Sequence, residues 1–271
     1  MATPAKIIGP VNDLGHVQVA NFRSERDFAT GRIPGSIPFH RFGYNPTVPN
    51  GSFADVWSYG PSDATYNWLT AADTLRVQAG GNVNDTAGGS GAGAVQIVYL
   101  DESWMLKTQT ISTAGAGASG VTGKAWRFIR ASVENVGTYT GNNTGNIIIE
   151  TSAGTIVGYI QAGIGQTEMT MLTVPANHTG YLIHVDIAIS TGTNKDADIR
   201  IWQRPRADIV SAPFGPKRLV GRAGGVTQEY EREYHSFPSF GPKTDIWVEA
   251  QGNGATTSVS VDYDMELVED V

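Results

Sequence analysis

The sequence contains no cysteine, and this absence removes several kinds of chemistry at once. Disulfides, thiolate metal sites and thiol nucleophiles all need cysteine, so these 271 residues can support none of them. A protein built from this chain that has to survive outside a cell therefore depends on apolar burial and on assembly for its stability.

Charged side chains are scarce as well, at 17% of the residues against roughly 25% in ordinary soluble domains. The net charge is −7, and no cluster of Lys and Arg interrupts the acidity. A groove that follows nucleic-acid phosphates needs such a cluster, so we expect no nucleic-acid partner. A surface with so little charge is typical of extracellular and virion proteins, or of subunits that cover one another.

Long apolar runs are missing too. No stretch approaches the about 18 uninterrupted apolar residues of a membrane span, so no membrane partner is expected. The first residues, MATPAKIIGPVNDLGHVQVANF, lack the apolar core of a secretory signal peptide. We therefore expect the protein to be made and assembled in a host cytoplasm.

What the sequence does contain is strict alternation of apolar and polar residues. In GYLIHVDIAIS the apolar residues at odd positions from Tyr181 to Ile189 share one face, and in TSVSVDYDMELVE those from Val259 to Leu267 do the same. A period of two predicts half-buried strands, and no stretch sustains a helical period. The predicted fold is all-β: an antiparallel two-sheet β-sandwich, jelly-roll-like, over residues 71–271, with about ten strands.

The first 70 residues differ from the rest. GRIPGSIPFHRFGYNPTVPNGSF, residues 31–53, carries four prolines and no period, so it cannot form a central strand. We predict that residues 1–70 form an irregular extended N-terminal arm that packs on the sandwich or on a neighbouring subunit. PRADIVSAPFGPKRLV, residues 205–220, is a second irregular stretch. The candidate interface anchors of the arm are aromatic: Phe39, Phe42, Tyr44, Phe53, Trp57 and Tyr59.

The glycine run GGSGAG, residues 88–93, raises the question of a phosphate-binding loop. Such a loop needs a strand before it and a helix after it, whereas these glycines precede the strand-like AVQIVYL, residues 94–100. That segment alternates, which predicts an antiparallel strand exposed on one side. We interpret the run, and the similar STAGAGASGVTGK at 112–124, as flexible connections between strands.

Catalytic constellations are weak in this sequence. The five histidines have no metal-ligand spacing, and His184 lies on the polar face of a predicted strand. Asp262, Asp264 and Glu266 line one strand face at ~7 Å intervals. Paired carboxylates can hydrolyse glycosides or bind Ca²⁺, but a solvated acidic face that resists edge pairing is favoured. We predict no catalytic residues, no cofactor and no metal.

The aromatic residues offer a further alternative, because tryptophan and tyrosine rings can stack on sugars. Trp104, Trp126, Trp202 and Trp247 all fall on predicted strands, however. Packing in the core or in a subunit interface is therefore the favoured role for them.

Four segments together resemble a known family. They are FHRFGYNPTV (39–48), GGSGAGAVQIVYLDESWMLKTQTIS (88–112), IQAGIGQTEMTMLTVPANHTGYLIHVDIAI (160–189) and FGPKTDIWVEAQGNGATTSVSVDYDMELVED (240–270). In this order they resemble a family of virion structural proteins of tailed bacteriophages, frequent in marine and cyanobacterial phages. The resemblance implies an all-β, non-enzymatic particle component and assigns no catalytic residue.

The sequence thus predicts a non-enzymatic virion structural protein: a capsid decoration or cement protein, or a vertex (head-fibre base) protein, that stabilises the particle through subunit interfaces. Its partners would be the major capsid protein and sister subunits in a homo-oligomer, predicted to be a trimer. The alternative is a tail or fibre adsorption component that binds a host-surface glycan or protein. A polysaccharide depolymerase would need converging carboxylates in a groove, which the sequence does not show.

Overall fold

The computed structural model describes residues 35–60, 65–78, 82–190 and 196–270 of the chain. Within these ranges the chain forms strands, turns and bends and no helix. No described segment is therefore an apolar helix long enough to cross a bilayer. The strands of these ranges are β1 Ser36–Val48, β2 Ala54–Asp55, β3 Asp73–Gln78, β4 Ala92–Asp101, β5 Leu106–Ser112, β6 Ala118–Val136, β7 Ile147–Thr151, β8 Ile156–Ile160, β9 Leu172–Thr173, β10 His178–Ile189, β11 Asp196–Arg204, β12 Arg218–Val226, β13 Glu229–Glu233, β14 Ser239–Phe240, β15 Asp245–Asn253 and β16 Thr257–Glu269.

Two of the sheets form a sandwich. The first sheet has the strand order β1-β16-β10-β13, with β14 also paired to β10, and the second has the order β12-β11-β15-β2, with β9 paired to β15. All pairings within them are antiparallel. Val185 and Ile187 of the first sheet meet Ile199 and Ile201 of the second in one buried cluster. The prediction of an antiparallel β-sandwich is confirmed.

A third sheet, which the sequence analysis did not separate from the sandwich, has the order β5-β4-β6-β3-β7-β8. It encloses a second apolar cluster, in which Leu75, Ile97 and Ile149 are fully buried. Trp247 of the second sheet belongs to the same cluster, so the third sheet is packed against the sandwich through shared side chains.

The predicted alternation is confirmed along β16, where every odd-numbered residue from 257 to 267 is buried. In β10 it holds only in part. The residues from Val185 to Ile189 follow it, but Tyr181 and Ile183 are half-buried and Leu182 is buried instead. A β-bulge between Leu182 and His184 is the reason, because one extra residue exchanges the two faces of a strand.

Strand β4 corrects another expectation. It is antiparallel to both β5 and β6, as predicted, but it is not exposed on one side. The residues from Ile97 to Leu100 are all buried, because one face lies in each apolar cluster. The run has apolar residues at odd and even positions alike, and this is the sequence signal for burial on both faces.

Residues 36–48, which the sequence analysis placed in the irregular arm, form the strand β1 instead. β1 pairs with β16 along almost its whole length and is an edge strand of the first sheet. Proline is tolerated there because one side of an edge strand needs no ladder partners, and a register shift between Asn45 and Val48 accommodates Pro46. The division of the chain at residue 70 stays a prediction, and residues 1–34 lie outside the described residues.

The glycine-rich connection before β4 is fixed by a buried carboxylate. Asp85 is completely buried and accepts hydrogen bonds from the backbone N–H groups of Ala92 (2.8 Å), Thr144 (2.8 Å) and Gly145 (2.6 Å). It joins the loop before β4 to the loop before β7. The interpretation as a connection between strands is confirmed for residues 88–91, since β4 begins at Ala92 and no helix follows. It is wrong for much of the similar run at 112–124, because the residues from Ala118 onward belong to β6.

Close packing explains why this connection is rich in glycine. A Cβ on Gly91 would lie 2.2 Å from the Asp85 Oδ1 atom, and a Cβ on Gly137 would lie 1.9 Å from the Gly89 carbonyl oxygen. Real Cβ atoms do not approach that closely, so both positions exclude a side chain. The glycines allow two backbone segments to meet, and flexibility is not needed to explain them.

Candidate assembly surface

The six predicted interface aromatics do not lie on one exposed surface. Phe39 is 7% exposed and belongs to the sandwich core, and Trp57 is 2% exposed and belongs to the core of the third sheet. Both residues therefore pack within their own chain. The other four are half-buried: Phe42, Tyr44, Phe53 and Tyr59.

Each of these four residues is paired with or packed against another part of the same chain. Phe42 and Tyr44 lie in β1, where Phe42 is opposite Asp262 of β16. Phe53 is covered by the Arg200 guanidinium, whose Cζ atom is 3.6 Å from the ring centroid. The assignment of the six residues to a subunit interface stays a prediction.

Trp57 belongs to a continuous series of aromatic rings. Its ring centroid lies 5.1 Å from that of Tyr59 and 5.3 Å from that of Tyr66. Tyr66 contacts Trp68 at 4.9 Å, and Trp68 contacts Trp247 of β15 at 5.7 Å. The segment after β2 is thus held between the second and third sheets by edge and tilted ring contacts.

A buried ion pair joins the same two sheets. Arg127 of β6 donates to both carboxylate oxygens of Asp245 at 2.9 and 3.1 Å, and the side chains are 2% and 0% exposed. Arg204 donates to Asp245 at 2.5 Å, and the Thr173 hydroxyl donates to it at 2.7 Å. This network is a buried polar link between the sandwich and the third sheet, and no short motif in the sequence indicates it.

Trp104 covers this network and corrects one prediction. It lies in the turn between β4 and β5 with φ 63°, and not on a strand. It is buried nevertheless, because its ring stacks on Trp126 at 5.3 Å and lies 5.1 Å from the Arg127 Cζ atom. Trp68 covers the same guanidinium at 5.4 Å, so two rings shield the ion pair from water.

Burial also affects the pKa of the Asp55 carboxyl. Asp55 is opposite Glu249 in the pairing of β2 with β15. Burial raises the pKa of the Asp55 carboxyl to about 7, and the negative charge of Glu249 adds to this effect. The Tyr66 backbone N–H, which donates to Asp55 Oδ2 at 2.6 Å, and the Lys217 ammonium act in the opposite direction.

Because the pKa of Asp55 is higher in the fold than the about 3.9 of an unfolded chain, the fold binds this proton more tightly. The contribution of Asp55 to the free energy of unfolding is therefore complete at pH values below the unfolded pKa. It is lost as the pH rises through about 7. We expect Asp55→Asn to be more stable than the native chain at about pH 8, by on the order of 1–3 kcal/mol, and to lose that advantage near pH 4. Urea unfolding at both pH values checks this, and an advantage that does not change with pH would contradict it.

Two histidines on the outer face of the first sheet pair with carboxylates. His40 lies 2.9 Å from Asp264, and His184 lies 3.1 Å from Glu231. Ser36 donates to Glu266 at 2.7 Å. Among the described residues, no group of three or more His, Cys, Asp or Glu side chains is arranged to hold a metal ion.

The segment between β11 and β12 and the first residues of β12 present apolar side chains to solvent. Ile209, Phe214 and Leu219 are 41%, 61% and 50% exposed. The segment is anchored at its start, since Ala207 is buried in the sandwich core and Asp208 accepts hydrogen bonds from Arg206 and Lys243. The prediction of irregular backbone is confirmed for residues 205–217, and β12 begins at Arg218.

Comparison with known proteins identifies no family for this chain. No family model and no curated protein matches the chain. Among solved structures, the chain is similar to the VP2 subviral particle of infectious bursal disease virus, with 10% identity, a TM-score of 0.25, and coverage of 90% of this chain and 77% of that one. The structure of the Gt strain of the same virus has 9% identity and a TM-score of 0.21, with coverage of 90% of this chain and 85% of that one. Likeness at this level establishes no shared function.

Proposed function

We propose that this chain is a non-enzymatic structural component of a virus particle, located in the virion after assembly in the host cytoplasm. Within that class, the proposal is a capsid decoration or cement protein, or a vertex (head-fibre base) protein, of a tailed bacteriophage. The sequence resemblance supports the assignment to a tailed phage. The low charge and the absence of cysteine are consistent with a subunit that is stabilised by assembly.

The observation that carries the proposal is the set of exposed apolar side chains on the segment between β11 and β12 and at the start of β12. Large contiguous apolar patches are rare on the surface of monomeric soluble proteins and mark protein interfaces. Phe214 and Leu219 are more exposed than Ile209, so they have the most area to bury. Full burial of a large apolar side chain stabilises a contact by about 1.5–3 kcal/mol, and many copies on one particle add such contacts together.

The proposed partners are sister subunits, in a trimer, and the major capsid protein. The alternative, a tail or fibre adsorption component that binds a host-surface protein or glycan, requires a ligand site in addition to an assembly surface.

Replacing both Phe214 and Leu219 with serine should abolish assembly while leaving the subunit folded. Both side chains are at least half exposed, so their loss should change the unfolding free energy by no more than about 0.5 kcal/mol. Sedimentation velocity of the purified chain measures self-association. Mass spectrometry of particles purified from infected cells that produce the variant measures incorporation.

The matched control replaces two exposed apolar residues elsewhere, Val121 and Tyr139, with serine. That control should assemble and incorporate as the native chain does. Normal incorporation of the Phe214 and Leu219 variant would contradict the proposed assembly surface.

A further inference from the structure

A polar groove follows the edge strand β1, between the first and third sheets. Its volume is about 530 Å³, within the range of about 300–1,000 Å³ found for small-molecule sites. One wall comes from the first sheet and the other from β4, β6 and the segment before β9. The residues that define its chemistry are His40, Phe42, Asp262, Gln96, Arg130 and Gln166.

An open depression of about 330 Å³ adjoins the groove, and Ser132 and Gln166 line both. Asn135 and Asn142 line this depression. Amides and hydroxyls can each donate and accept hydrogen bonds, so the combined walls are suited to a ligand that does both along its length.

Two charged groups in the groove, the Asp262 carboxylate and the Arg130 guanidinium, have hydrogen-bonding capacity that contacts among the described residues do not use. The Asp262 Oδ1 atom is buried and has no hydrogen-bond partner within the part of the chain that the structure describes. Within the described residues the Arg130 guanidinium lies over the Phe39 ring at 5.7 Å and pairs with no carboxylate. A buried polar atom without a partner is costly, so a ligand that donates to Asp262 would be stabilised there.

The balance of charge narrows the class of ligand. Arg130 and the buried Arg41 supply two cations, and Asp262 and Glu134 supply two carboxylates, so these four groups carry no net charge that would attract a polyanion such as a nucleic acid. An apolar ligand would leave the polar walls without water or partners. A neutral molecule with many hydroxyl groups satisfies both conditions.

We propose that this groove binds a short saccharide. Sugar hydroxyls would donate to Asp262 and accept from Arg130, and the amides of Gln96 and Gln166 would contact further hydroxyls. The half-buried ring of Phe42 offers an apolar face on which a pyranose can stack. This binding activity is additional to the structural role and does not depend on it, and many copies on one particle would raise a weak affinity through multivalency.

The test uses the purified full chain and defined sugars. Methyl glycosides of glucose, galactose, mannose and N-acetylglucosamine, and disaccharides of these sugars, are titrated by calorimetry and by NMR of the glutamine side-chain amides. We expect at least one sugar to bind with a dissociation constant of about 1 mM or below. Beads that display the same sugar distinguish a surface glycan from a free sugar as the source, because only a surface glycan gains from multivalent contact.

Variants then locate the site. Arg130→Ala and Asp262→Asn should each weaken binding at least about tenfold, which corresponds to the loss of one charged hydrogen bond. The control is Arg222→Ala, which removes an exposed arginine from β12 and should leave binding unchanged. Circular dichroism verifies the fold, and if Asp262→Asn unfolds, Gln166→Ala takes its place.

Three results would overturn the proposal. The first is no response to any sugar at about 20 mM, a concentration well above a weak dissociation constant of about 1 mM. The second is undiminished sugar binding by the groove variants. The third is a response of the groove residues to Ca²⁺ alone, which would identify a cation site. All are measured on the isolated chain, so they do not depend on whether the chain assembles on a particle.

Discussion

Asp245→Asn is expected to destabilise the protein by about 3–5 kcal/mol, because it leaves the buried Arg127 guanidinium without its counter-charge. The substitution keeps the shape of the side chain and removes only the charge. Arg127 cannot reach water, since the rings of Trp68 and Trp104 cover it. Urea unfolding followed by far-UV circular dichroism measures the loss.

Two comparisons make that expectation specific. Arg127→Met should cost less, because Asp245 still pairs with the partly exposed Arg204. Glu102→Gln breaks the pair with Lys124, in which both side chains are more than half exposed, and should change stability by less than about 1 kcal/mol. If Asp245→Asn cost no more than Glu102→Gln, the ion pair would not be what holds the third sheet to the sandwich.

Trp57→Ala is the second large effect, with an expected loss of about 3–5 kcal/mol. The ring is 2% exposed and contacts Tyr59 and Tyr66, so its removal leaves a cavity in the core of the third sheet. Thermal unfolding measures the loss, and sedimentation velocity measures assembly in the same sample. Tyr139→Ala removes a fully exposed aromatic ring and is the control, with an expected change within about 0.5 kcal/mol.

The same experiment separates two roles for Trp57. If Trp57 is a core residue, its replacement with alanine should lower the melting temperature of the subunit at least as clearly as it reduces assembly. If the variant has the melting temperature of the native chain and yet fails to assemble, Trp57 is the interface anchor that the sequence analysis predicted.

The strands were predictable because their signal is local. In β16 a period of two continues over the whole strand, and the buried face is the one the pattern indicates. β10 shows the limit, because the bulge at Ile183 depends on pairing with β16 and leaves no mark in the pattern. β4 shows a local signal that was interpreted wrongly, because its run is apolar at odd and even positions alike, which indicates burial on both faces.

The groove along β1 was not predicted, and only part of it could have been. Gln96 is the one polar residue in the apolar run AVQIVYL, and a lone amide in a buried strand indicates a polar surrounding. Its neighbours in the groove come from β1, β6, β16 and the segment before β9. Their proximity is a consequence of pairing and sheet packing between distant parts of the chain.

By itself, the sequence determined that the fold is all-β and antiparallel, that chemistry based on cysteine is impossible, and that residues 205–217 are irregular. Each of these follows from composition or from neighbouring residues. Only the tertiary structure decided that residues 36–48 are an edge strand, that Trp57 lies in a core, and that Arg127 meets Asp245. Those outcomes depend on contacts between residues far apart in the chain, and local propensity carries no information about them.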